Sequence, residues 1–157
     1  MSDAGSVLKL RPALAQDADV LLIWRNDPTT RAMSQNSTPV THETHMNWFQ
    51  NALSNDVHLI FIAEQNSDPV GMVRFDVAHD GDTAEVSINI APNARNKKLA
   101  TPLLHLASSE ITKRMPAITR LMARIKTDNP RSQRAFERAG YVKVREDDGY
   151  NFYHVTP

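Results

Sequence analysis

One stretch constrains this chain more than any other: Asn129-Pro130-Arg-Ser-Gln-Arg-Ala-Phe-Glu-Arg-Ala-Gly140-Tyr141. Asn is a favoured N-cap, Pro is favoured at the first helical position, and Gly suits the left-handed residue that closes a helix. The segment before it, Thr119–Lys126, puts Leu121, Ala123 and Ile125 at every second position, as in a strand with one buried face. Tyr141–Val144 and Phe152–Val155 read as strands again. A helix bracketed this tightly between strands requires a layer of helix on sheet.

The rest of the chain extends that pattern. Leu99, Leu103, Ala107, Ile111 and Met115 recur every four residues, which predicts an amphipathic helix. Pro102 is tolerated there only in the first turn, so the helix starts near Lys98. His58–Glu64, Val70–Val77 and Ala84–Ile90 are strand-like, with turn residues at Asn66–Asp68 before Pro69 and at Asp80-Gly81-Asp82. They predict an antiparallel meander. Val7–Arg11 alternates like a short strand, and Asp17 is placed to cap a helix toward Arg25 carrying Val20, Leu21, Ile23 and Trp24. Pro28 opens a short turn to Met33. Thr41 caps a helix with Met46, Phe49 and Leu53 along one side. The order β, helices, βββ, α, β, α, ββ is that of an α/β sandwich with a mixed sheet.

At 157 residues the chain suits a single domain, 1–157. It has no cysteine, which removes disulfides, thiolate metal sites and a cysteine nucleophile. Met1–Gly5 is short and polar, unlike a signal peptide, and no apolar run approaches the ~20 residues of a membrane helix. A cytoplasmic protein without a membrane partner is expected.

The net charge of zero conceals a division. Between Arg95 and Arg145 thirteen Lys/Arg face three acids, a local +10, and the remainder carries −10. Such asymmetry points to an anionic partner for one region, or to solvated helix faces. A pI near 7.0 speaks against a dedicated nucleic-acid binder. A compact polyphosphate needs only a local patch.

The segment Ala84–Thr101 runs from strand through a basic loop into a helix. A helix N-terminus attracts anions through its free N–H groups and its dipole; Arg95, Lys97 and Lys98 add full charges. An ordinary strand–helix connection with solvated lysines is the plainer alternative. With the Asn-Pro…Gly helix, this segment resembles the GNAT superfamily of acetyl-CoA-dependent N-acetyltransferases. The family's pyrophosphate loop, Arg/Gln-x-x-Gly-x-Gly/Ala, corresponds to Arg95-Asn96-Lys97-Lys98-Leu99-Ala100, with Lys98 at the usual glycine. There Lys98 serves if its backbone angles are helical and its side chain points outward. The second family pattern is matched by Asn129, Ser132, Gly140 and Tyr141, with Phe136 at the usual tyrosine.

The resemblance implies a mixed, mostly antiparallel sheet flanked by helices, in which two central parallel strands, Glu85–Ile90 and Arg120–Lys126, splay apart. Acetyl-CoA is the implied donor, with no metal. Its pantetheine would pair near Asn89 and Ile90, and its diphosphate would meet Arg95, Asn96, Lys97, Lys98, Leu99, Ala100 and Thr101. Asn129, Ser132, Phe136 and Arg138 (with Arg131 or Arg134) would flank the remainder. Glu85 and His45 are the candidate bases, each with a plain alternative as ion-pair partner or packing residue. Phe136 has no proton to give, so Tyr150, Tyr153 or water is left to protonate the thiolate.

The first half, with Trp24-Arg25-Asn26-Asp27-Pro28, Met33 and Thr44-His45-Met46-Asn47-Trp48, resembles the amino-sugar acetyltransferases of pseudaminic acid biosynthesis. That implies a nucleotide-linked amino sugar as amine acceptor, bound by Arg25, Met33, His45 and Trp48; core packing is the alternative for Met33 and Trp48. The same start also occurs in ribosomal-protein N-terminal and aminoglycoside acetyltransferases. A non-catalytic acyl-CoA-binding module is a further alternative, motivated by Phe136 and Lys98. A homodimer is compatible with any of these.

Overall fold

The computed structural model describes residues 7–34 and 36–157; the expectation for Met1–Gly5 lies outside them. Its strands are β1 (Leu8–Pro12), β2 (His58–Gln65), β3 (Asp68–Val77), β4 (Thr83–Ile90), β5 (Arg120–Lys126), β6 (Val142–Asp147) and β7 (Tyr150–Val155). The helices are α1 (Ala18–Asn26), α2 (Pro28–Met33), α3 (His42–Leu53), α4 (Ala100–Arg114) and α5 (Pro130–Arg138). One seven-stranded sheet runs β1-β2-β3-β4-β5-β7-β6, antiparallel except for β4 with β5.

The two faces of this sheet differ chemically. Phe61, Val73, Phe75, Val86, Leu121 and Tyr153 form one face and pack under Leu103, Leu104, Ala107 and Ile111 of α4 and Phe136 of α5. The other face is apolar toward β2, where Ile60 and Ile62 meet Leu21, Trp24 and Phe49 of α1 and α3, and around Met72 and Ile90. Each fully buried side chain of this kind adds about 1.5–3 kcal/mol, so both layers are firmly held at the β1–β4 end.

The meander, the period-two face of β5 and the bracketed α5 agree with the residue pattern. Asn129 accepts a hydrogen bond from the Ser132 N–H at 3.3 Å, and Gly140 has φ +98°. Several details differ. Asp17 does not cap α1 with its side chain; Arg11 reaches back from β1 and holds both carboxylate oxygens at 2.8 and 2.9 Å. The buried stripe of α3 is His45, Phe49 and Ala52, with Leu53 39% exposed. Burying a histidine is feasible because its Nε2–H donates to the Ala18 carbonyl at 2.8 Å. α4 begins at Ala100, two residues past the expected start, with Pro102 still in its first turn. Tyr141 is buried before β6 rather than opening it.

Candidate active site

The decisive local feature is the short parallel ladder. β4 and β5 pair only at Thr83 with Arg120, Ala84 with Leu121 and Glu85 with Met122. Beyond that point β4 stays paired with β3 up to Ile90, while β5 turns to β7. The edge of β4 from Val86 to Ile90 therefore faces a gap with its backbone groups free. Gly71 sets how close β3 lies behind that edge: a Cβ there would stand 2.8 Å from the Asn89 carbonyl oxygen.

The gap opens into a cavity of about 1150 Å³, beyond the usual range for a single ligand. At one end lies the start of α4. α2, α3 and α5 are closed by the side chains of Asp27, Thr41 and Asn129. Leu99, at the corresponding place in α4, offers no such cap to the first turn, whose Ala100 and Thr101 line the cavity. The preceding loop is tightened by left-handed residues at Asn96 (φ 64°) and Lys98 (φ 58°). Lys98 thus adopts the conformation a glycine would supply, not the helical one expected. That costs roughly 1–2 kcal/mol.

Asn89, Ile90, Asn96, Lys98, Leu99, Ala100 and Thr101 all line this end, as do Asn129, Ser132, Phe136 and Arg138. Lys97 is exposed and outside the lining. Arg131, Arg134 and Arg138 stand on the exposed face of α5 along the same rim. Arg95 lines the cavity too, but its Nη2 is turned across it, 2.7 Å from Asp27 and 3.0 Å from the Thr30 hydroxyl. That guanidinium holds the Asp27 carboxyl below its usual range.

The opposite end is built by α2, α3 and the bare part of the sheet. Arg25, Met33, His45 and Trp48 line it. Met33 is 37% exposed, while Trp48 packs its partly buried ring against the second apolar cluster, with the Arg74 guanidinium 4.7 Å from it. Arg25 donates to the Asn36 carbonyl at 2.9 Å, yet its Nη1 is buried with no partner among the described residues. Burial and the nearby Arg31 lower its pKa.

His45 stacks on Phe49 with 5.9 Å between ring centroids, so only its Nδ1 remains to interact. Glu85 sits where the strands part, with Arg124 3.5 Å away. Tyr153 belongs to the apolar face, its hydroxyl given to Glu137 at 3.0 Å, and burial pushes it up to about 12. Tyr150 lies on the cavity side. Phe136 packs edge-on against Tyr141 at 4.9 Å.

Asp27, Arg124 and Lys126 were not singled out by the sequence. Asp27-Pro28 carries the same cap-and-proline punctuation as Asn129-Pro130. Arg124 and Lys126 alternate with the core residues of β5, which places them on the cavity face.

Among the described residues no group of His, Cys, Asp or Glu is arranged to hold a metal, and no helix is long and apolar enough to cross a membrane. No curated protein matches the chain. Solved structures do. A domain from Methanocaldococcus jannaschii superposes with a TM-score of 0.83 at 22% identity, over 97% of this chain and 99% of that one. A spermidine N-acetyltransferase from Vibrio cholerae, solved with CoA and spermine, gives 0.83 at 15% identity over 95% of each chain. An aminoglycoside acetyltransferase solved with coenzyme A and kanamycin gives 0.79 at 20%, over 96% of this chain and 95% of that one. At these identities the likeness is one of fold. The acetyltransferase (GNAT) domain model, however, matches residues 8–142. With its splayed strands and uncapped helix following in that same order, this chain belongs to the GNAT family of acetyl-CoA-dependent N-acetyltransferases.

Proposed function

We propose that the chain, as one acetyltransferase domain over residues 1–157, moves acetyl from acetyl-CoA to the primary amine of a small molecule. The observation that carries this is the divergence of β4 from β5 after Glu85, which leaves a free strand edge leading away from the uncapped start of α4. Both features suit the donor: extended pantetheine needs a strand edge, and a diphosphate needs clustered N–H groups. Acetyl-CoA supplies an activated acetyl thioester.

The chain's own residues then do three things. Backbone N–H groups on the edge of β4 are positioned to donate to the thioester oxygen as charge builds on it. Glu85, at the narrow end of the gap, takes the proton of the incoming amine, directly or through water. Tyr150 is the phenol on the cavity side and takes the role of proton donor that Phe136 cannot fill.

A nucleotide-linked amino sugar is the finer reading of the acceptor. It is supported by Arg25, Met33, His45 and Trp48 lining the same end of the cavity, and by the unpartnered Arg25 Nη1, a donor suited to a phosphate oxygen. Calorimetry with acetyl-CoA, followed by thiol release on a panel of amines that includes a nucleotide-linked amino sugar, tests the proposal. Binding and turnover are expected, with Arg25→Ala raising KM for the nucleotide sugar and sparing acetyl-CoA affinity. Binding without turnover of any amine would instead identify a non-catalytic acyl-CoA module.

A further inference from the structure

The acceptor end of the cavity has an unusual charge composition. Residues 1–94 are acidic as a set, twelve acids against five bases, but several of the described acids are already paired. Asp17 is held by Arg11, Asp27 by Arg95, and Asp76 by His58 and Arg74. Among the described residues lining the cavity, Glu85 is the only carboxylate. Arg25, Arg124 and Lys126 line the same cavity, as does Arg74, which is already paired with Asp76. A polycationic acceptor would meet one negative charge and a surplus of like charge.

Arg124 and Glu85 also form a matched pair on the floor of the cavity. They lie on adjacent strands just where the ladder ends, one on each arm of the gap. Their 3.5 Å separation is long for a direct charged hydrogen bond. Both side chains are about one-third exposed, at 33% and 36%. The Arg124 guanidinium also lies 5.7 Å over the Tyr150 ring. An amine carrying its own anion a bond or two away would complement both members at once, its ammonium at Glu85 and its anion at Arg124.

Resting on the acetyl-transfer reading, and in place of the nucleotide-linked amino sugar as acceptor, we infer that the acceptor is a zwitterion in which the reacting amine lies next to a carboxylate or phosphate, and that Arg124 is the residue that selects it. The anion docks on the guanidinium, which frees Glu85 from its ion pair to accept the ammonium proton. The amine then faces the free edge of β4. Loss of one charged contact of this type weakens binding about 10- to 100-fold.

The experiment uses the full chain loaded with CoA and reads Kd by calorimetry, independently of turnover. The probes are serine against serinamide, phosphoethanolamine against ethanolamine, and spermidine. At least one anion-bearing member binding 10-fold or more tighter than its neutralised partner is expected, and the pair showing it identifies carboxylate or phosphate. R124Q should bring that ratio to within about threefold, while Arg124→Lys, which keeps the charge, should retain part of it. Unchanged CoA affinity in both variants verifies the fold. Equal or tighter binding of serinamide, ethanolamine or spermidine, or no binding of either zwitterion, overturns the inference and leaves acetyl transfer standing. Absence of CoA binding by the unmutated chain, or of thiol release with every amine, instead overturns the acetyl-transfer reading itself.

Discussion

α2 and α5 begin with the same punctuation and end as different objects. Asp27-Pro28 opens one and Asn129-Pro130 the other. Asp27 accepts from the Thr29 and Thr30 N–H groups, and Asn129 from that of Ser132. α5 buries Ala135 and Phe136, and α2 buries nothing. Polar contacts tie α2 across the cavity. Arg95 grips its first turn, the Thr30 hydroxyl reaches Asn89 on β4 at 3.3 Å, and Lys126 on β5 donates to the Ala32 carbonyl at 3.0 Å. Capping decides where a helix starts, and burial decides how firmly it is fixed. α5 is scaffold; α2 is a strap whose position depends on both arms of the gap.

The largest effect separating them is expected from Phe136→Ala. Truncating this buried ring should cost about 3–5 kcal/mol of global stability, seen as a lower denaturant midpoint for the whole domain. A change confined to α5 would mean that the helix is not integral to the core.

Asp27→Ala removes the α2 cap and its ion pair together. A local loss of about 1–2 kcal/mol is expected, read as faster hydrogen exchange at Thr30–Met33 with α5 unaffected. Equal acceleration in both helices would dissolve the distinction. Gly140→Ala forces a side chain onto φ +98° and should cost about 1 kcal/mol in the thermal midpoint. An added Cβ there would meet Val155, outside the cavity lining, so acetyl-CoA affinity should hold.

The smallest effect is a pH dependence carried by one cap and not the other. Arg95 holds the Asp27 carboxyl below its usual value. Its contribution is therefore complete above the unfolded aspartate value of about 3.9 and is lost as pH falls through the lower folded value. Asn129 does not titrate. An acid titration followed by the amide shifts of Thr29, Thr30 and Ser132 should move the first two and leave the third.

Much of this was legible in the residues because it depends on neighbours in sequence. Alternation in β5, the four-residue repeat of α4 and the caps of α3 and α5 each reflect local geometry. Periodicity mistook the buried side of α3, since it treats His45 as polar. The ring is buried because α1 brings the Ala18 carbonyl to it across 27 residues. The loop was recognisable by its pattern, while the left-handed backbone of Lys98 was not, because a lysine carries no signal of positive φ.

By itself the sequence determined the order of elements, the apolar face of the sheet, and a basic loop entering a helix. These follow from periods of two and about 3.6 residues and from cap chemistry, all within a few bonds of each residue. Only the tertiary structure decided that Arg95 turns to Asp27 and that Glu85 meets Arg124. Those pairings join residues 39 to 68 positions apart. They exist because the sheet brings its strands together at one end and parts them at the other.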